Sequence, residues 1–317
     1  MLEAAGWFVL GLLLLALGGD SIVKGASGLA QRFGASPFVT GLLLVAFATS
    51  LPELAVNLHA IAEGRQALAL GNAVGSNVVN FGLTLGGAAL AAPLVVRWRA
   101  LAPLLLVLIA GTVLAIVLGL DGVLSHLDGA LLLLAFAVAL VFALRRTREE
   151  NVEVREEIAG YARTSTDLRQ NLVRVAMAVA LLFFGSRLIV QHAPAFGLGL
   201  GLTPLTTGLL PVAIATALPE LAAALAAARR GQGDLVAGHV IGSSLFNLLV
   251  VLGGMAALRT LALPPSLVRF ELPAALAFAL MLYPMLRGDS RFSKGEGAVL
   301  LAALVAWIGF ELLLIHG

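Results

Sequence analysis

Apolar runs of about 20 residues follow one another along almost the whole chain, separated by short breaks rich in charge, glycine or proline. Such runs suit helices that cross the hydrocarbon core of a bilayer, where every backbone N–H and C=O must be satisfied inside the segment. The breaks predict ten helices, near residues 6–27, 37–62, 67–92, 100–119, 128–145, 172–191, 204–228, 234–257, 270–287 and 296–315. The expected fold is therefore an all-α polytopic membrane protein. The first run, Trp7 to Leu17, is preceded by Glu3 and by no Lys or Arg, so a retained helix is expected and not a cleaved signal.

Charge placement orients these helices. One side receives sixteen Lys and Arg residues and the other three, Arg65, Arg259 and Arg269, which predicts that the first side is cytoplasmic and both termini are outside. The one long hydrophilic stretch, Arg145 to Asn171, alternates Arg with Glu and reads as a cytoplasmic linker. Composition agrees with residence in lipid: 60% of residues are hydrophobic, 12% are charged and mean hydropathy is +1.01. There is no cysteine, so any metal chemistry must use oxygen ligands.

The sequence also repeats itself. Thr40-Gly41, Ala46-Phe47-Ala48-Thr49-Ser50-Leu51-Pro52-Glu53-Leu54 and Gly71 through Asn80 recur 167 residues later as Thr207-Gly208, Ala213 through Leu221 and Gly238 through Asn247. Each half is predicted to hold five helices, an odd number, so the second half must enter the membrane in the opposite sense. Residues 1–145 and 172–317 are expected to form two inverted repeats joined by the linker 146–171. Pro52 and Pro219 are expected to interrupt their helices, freeing carbonyls about a turn upstream, in regions that include Ala46 and Ala213.

Glu53 and Glu220 stand in otherwise apolar helices with no Lys or Arg in either interior, so a proton, each other or a bound cation must compensate them. Thr49 and Thr216 lie four residues before them and share their helix faces; Ser76 and Asn80, and Ser243 and Asn247, are likewise four apart. Carboxylates, hydroxyls, amide oxygens and loosened carbonyls are the hard ligands that Ca2+ takes in sets of 6 to 8, and Na+ accepts the same atoms. Two facing carboxylates balance one Ca2+ or several monovalent ions, and competition for that charge is a basis for exchange. His239, at the position of Asn72 in the repeat, lies near this cluster.

Thr49-Ser50-Leu51-Pro52-Glu53 with Gly75-Ser76-Asn77, paired with Thr216-Ala217-Leu218-Pro219-Glu220 and Gly242-Ser243-Ser244, resembles the calcium/cation antiporter superfamily, in particular its prokaryotic sodium/calcium exchanger branch. The resemblance covers nearly the whole chain. It implies that Glu53 and Glu220 are central Ca2+ ligands helped by Thr49 and Thr216, and that Ala46, Ser50, Ser76, Asn80, Ala213, Ser243 and Asn247 line sodium sites. It implies alternating access, with the first and sixth helices sliding against the rest, and residence in a prokaryotic inner membrane. Ala217 stands where the first repeat has Ser50, and Asn247 where some relatives are acidic, which implies fewer coupled cations.

The expected function is exchange of Ca2+ for Na+, with Ca2+/H+ antiport at the same site as the alternative and a cation channel as a more distant one. An enzyme is not expected: no zinc-binding His pair, membrane-embedded Asp pair or Ser-His couple is present. No cofactor is expected beyond the transported ions, and the partners expected are ions and lipid, with no nucleic acid.

Overall fold

A computed structural model describes residues 2–34, 50–96, 98–146, 164–287 and 291–316. The described residues are almost wholly helical. In chain order they form α1 (Leu2–Arg32), α2 (Leu51–Ala62), α3 (Gln66–Ala91), α4 (Trp98–Leu118), α5 (His126–Arg146), α6 (Leu168–Gly199), α7 (Pro204–Arg229), α8 (Gly233–Leu258), α9 (Leu272–Arg287) and α10 (Lys294–His316). Short strands β1 (Leu94–Val95), β2 (Val123–Leu124), β3 (Leu261–Ala262) and β4 (Arg291–Phe292) lie between them. Eight of the described helices are long and apolar enough to cross a membrane, with a shorter apolar stretch at His126–Phe142, so the chain is a polytopic membrane protein. The predicted segment 37–62 is described only from residue 50 onward, and most of the linker lies outside the described residues.

Two helices are much longer than their apolar runs predict. α1 and α6 have 31 and 32 residues, about 47 Å at 1.5 Å per residue, against a hydrocarbon core of about 30 Å. Hydropathy stops at charged residues such as Lys24 and Arg174, but a helix does not: beyond the core its polar side chains reach water while the backbone ladder continues. The two pack along their length through small residues. An added Cβ at Gly11 would lie 3.0 Å from the Gly185 carbonyl oxygen, and one at Gly185 would lie 2.9 Å from that of Gly11.

At the centre are α3 and α8, buried over 83% and 78% of their most apolar windows, whereas α1 and α10 are buried over only 22% and 28% of theirs. The interior pair is rich in Gly, Ala, Ser and Asn, which let backbones approach and supply polar atoms where lipid does not reach.

Element boundaries recur at the offset seen in the sequence. α3 and α8 begin at residues 66 and 233, their following strands at 94 and 261, and α1 and α6 end at 32 and 199, each pair 167 apart. The turns recur too: Gly64 and Gly231 have φ of +74° and +77°, which glycine adopts without strain. Each sits in a paired helix stop, with Arg65 N–H donating to the Ala60 carbonyl and Gln232 N–H to that of Ala227. The strands tie the halves together, β1 pairing antiparallel with β4 and β2 with β3.

Candidate cation site

The proline expectation needs correction at Pro219. Pro52 lies in the first turn of α2, and the residues upstream of Ser50 lie outside the described ones. Pro219 lies inside a helical stretch that runs unbroken from Ala213 to Arg229, so it removes the partner of the Ala215 carbonyl without ending the helix. Among the described residues the irregular backbone lies elsewhere. α3 is π-helical over Asn80–Leu85, α7 over Gly208–Val212 and α8 over Phe246–Leu252. Such wide turns misalign the hydrogen-bond ladder and re-aim side chains; here they begin at Asn80, immediately precede Ala213 and contain Asn247.

The helices bring the two glutamates into one interior. Glu53, on the first turn of α2, is fully buried, and Glu220, on α7, is buried as well. Their carboxyl groups interact electrostatically, and the Thr216 side chain of the second half faces Glu53. Asn80 of the first half faces Glu220 in turn. Each carboxylate is thus met by a polar side chain from the other half.

Hydrogen bonding is uneven. The Ser243 hydroxyl donates to Glu220 Oε1 at 3.1 Å, and His239 Nε2 lies 3.9 Å from the same oxygen. Thr216 donates to the Ala213 carbonyl at 3.2 Å, and Ser76 to Asn72 Oδ1 at 3.5 Å. By contrast, both Glu53 oxygens, Glu220 Oε2, Ser50 Oγ and the side-chain amides of Asn80 and Asn247 are buried without a hydrogen-bond partner among the described residues. Buried polar atoms are paired in nearly all native interiors, so a concentration of unpaired oxygens around two carboxylates is an arrangement suited to a cation. No Lys or Arg among the described residues pairs with either glutamate.

Of the residues expected at the site, Ser50, Glu53, Ser76, Asn80, Ala213, Thr216, Glu220, Ser243 and Asn247 are all buried, while Ala46 and Thr49 lie outside the described residues. The carboxyl groups meet Thr216, Asn80 and Ser243; Ser76 makes its contact with Asn72 instead. Asn57 was not anticipated. It is fully buried with both amide atoms unpaired, and its place four residues after Glu53 put it on the carboxylate's face. A cavity of about 140 Å³ between α7 and α8 is lined by Ala223, Ala227, Arg230, Gln232 and His239, so it runs from the turn after α7 to the side chain beside Glu220.

A family model described as "Sodium/calcium exchanger protein" matches the chain twice, over residues 3–145 and 171–313. The inner membrane protein YrbG of Escherichia coli strain K12 is 33% identical, covering 97% of this chain and 96% of its own. The sodium/calcium exchanger MaX1 of Methanosarcina acetivorans is 29% identical over 95% of this chain and 96% of its own. Among solved structures, the sodium-calcium exchanger NCX_Mj superposes with a TM-score of 0.67 at 29% identity, covering 97% of this chain and 98% of that one. Two family matches that together span most of the sequence place this chain in the sodium/calcium exchanger family.

Proposed function

We propose that the protein is a secondary-active antiporter that exchanges Ca2+ for Na+ by alternating access, with Glu53 and Glu220 as paired ligands near the membrane midplane. The observation that carries the reading is the meeting of two buried carboxylates from the two halves, among unpaired hard oxygens and without a Lys or Arg partner among the described residues. One Ca2+ neutralises both carboxylates, as do monovalent ions bound in its place, so each cargo excludes the other. Thr216, Asn80, Ser243, Ser50, Ser76 and Asn247 complete the ligand set, with Thr49 and the Ala46 and Ala213 carbonyls.

Residues 1–145 and 172–317 act as inverted repeats in this reading, joined by the cytoplasmic linker 146–171 with both termini outside. The matched element boundaries and the strand pairs exchanged between halves support it. The long α1/α6 pair is the unit that slides past the core to expose the site to either side. A channel is disfavoured because paired, oppositely oriented halves serve a site opened to one face at a time.

The counter-ion is tested by 45Ca2+ uptake into proteoliposomes loaded with NaCl, KCl or choline chloride at fixed pH. Uptake from Na+-loaded vesicles alone is expected. Uptake indifferent to Na+ but driven by an imposed pH gradient would replace Na+ with H+, and Ca2+ flux in the absence of any exchangeable cation would indicate a channel.

Ser243→Ala removes the hydroxyl that, among the described residues, donates to Glu220. A hydrogen bond to a charged group contributes about 1.5–3 kcal/mol, so apparent Ca2+ affinity is expected to fall roughly tenfold or more while maximal turnover is retained. Saturation curves for Ca2+ would check this; unchanged affinity would remove Ser243 from the ligand set.

A further inference from the structure

The second half carries another pair of buried carboxylates, away from the repeat-matched cluster. Glu271 closes a π-helical turn, Leu267–Glu271, that leads into α9, and Glu311 lies near the end of α10. They are 1% and 3% exposed. The two carboxyl groups interact electrostatically, and Phe270 and Phe310, one residue before each, meet edge to face at 5.7 Å. Neither glutamate forms an ion pair with a Lys, Arg or His among the described residues. Glu271 Oε2 and Glu311 Oε1 have no hydrogen-bond partner among the described residues.

A second side chain points at the same place. Trp307, one turn before Glu311, is 8% exposed, and its indole N–H has no partner within hydrogen-bond geometry although it faces the Glu311 carboxyl group. Ser266 faces Glu271. The positions 167 residues earlier hold Leu104, Leu140 and Leu144 in place of Glu271, Trp307 and Glu311. The cluster is therefore peculiar to one half, and it cannot belong to a site that both halves build alike.

We propose that Glu271 and Glu311 hold a divalent cation of the Ca2+ type, which bridges α9 to α10. Two carboxylates turned together without a basic neighbour need two positive charges, and one divalent ion supplies them. The Ser266 hydroxyl and the misaligned carbonyls of the π turn are further hard ligands. The Trp307 N–H, which faces the Glu311 carboxyl group, would donate to it once the ion fixes that carboxylate, the kind of support a ligating group receives. Both glutamates lie within a few residues of the ends of their spans, Leu267–Met285 and Lys294–Leu314, so the ion enters from the adjacent aqueous face. This site stands independently of the exchange reaction.

Tb3+, a hard oxygen-seeking ion that emits when a nearby indole is excited, reads the site directly because Trp307 adjoins it. The full chain carrying Glu53→Gln and Glu220→Gln removes the exchange-site carboxylates from the measurement. Indole-sensitised emission displaced by Ca2+ is expected, weakened more than about tenfold by Glu271→Gln or Glu311→Gln, since losing even a supporting partner costs a metal site that much. Trp307→Phe is expected to abolish the emission while Ca2+ still raises the melting temperature. Emission that is absent, or unchanged by both glutamine variants, overturns the proposal. If the glutamine variants fail to fold, Trp307→Phe decides: emission undiminished in that variant places the ion elsewhere and likewise overturns it. A carboxylic-acid infrared band that Ca2+ does not remove, and that Glu271→Gln or Glu311→Gln abolishes, would assign the pair to a proton and overturn it as well.

Discussion

Replacing either Glu53 or Glu220 by Gln is expected to abolish Ca2+ uptake, by at least about 100-fold, while leaving a folded, monodisperse protein. Removing one member of a buried charge constellation costs about 3–5 kcal/mol, which falls here on the cation-bound state because the ion is the partner that loses its counter-charge. The empty fold loses little, since Gln is nearly isosteric and relieves a buried carboxylate that, among the described residues, leaves both Glu53 oxygens or Glu220 Oε2 without a partner. Both variants together should behave as either alone, because one carboxylate cannot neutralise Ca2+. Initial rates of 45Ca2+ uptake, read beside thermal melting in detergent, check this. Wild-type flux in either variant would sink the assignment, and a large fall in melting temperature would recast the residue as structural.

Gly71→Ala is expected to destabilise the protein by about 3 kcal/mol, at the upper end of the usual cost of overpacking. A Cβ there would lie 2.2 Å from the Leu205 carbonyl oxygen and 2.9 Å from the Leu209 nitrogen, both backbone atoms that cannot step aside unless α3 parts from α7. Thermal melting of the variant beside the parent protein decides it. An unchanged melting temperature would show that the α3–α7 contact is not a tight one.

Symmetry of sequence predicts symmetry of elements and not of each contact: Ser243 donates to Glu220, whereas Ser76, its counterpart, donates to Asn72.

The sequence by itself determined the membrane residence, the approximate bounds of the described helices other than the longer α1 and α6, and the 167-residue offset, and it singled out the two glutamates, because these depend on local quantities. Apolar run length sets what can cross lipid, and an unpaired carboxylate inside such a run demands a function. Asn57 was legible by the same four-residue rule that singled out Thr49 and Thr216, but it has no partner in the second half, where Ala224 stands. Only the tertiary structure decided that α7 runs unbroken through Pro219 and that π turns supply the irregular backbone near the candidate ligands, since ladder misalignment is settled by packing against neighbouring helices. It alone decided which side chain of one half meets which carboxylate of the other, and that Glu271 and Glu311, 40 positions apart in the chain, turn toward one another. Such pairings depend on how helices pack in three dimensions, and no spacing along one chain specifies that.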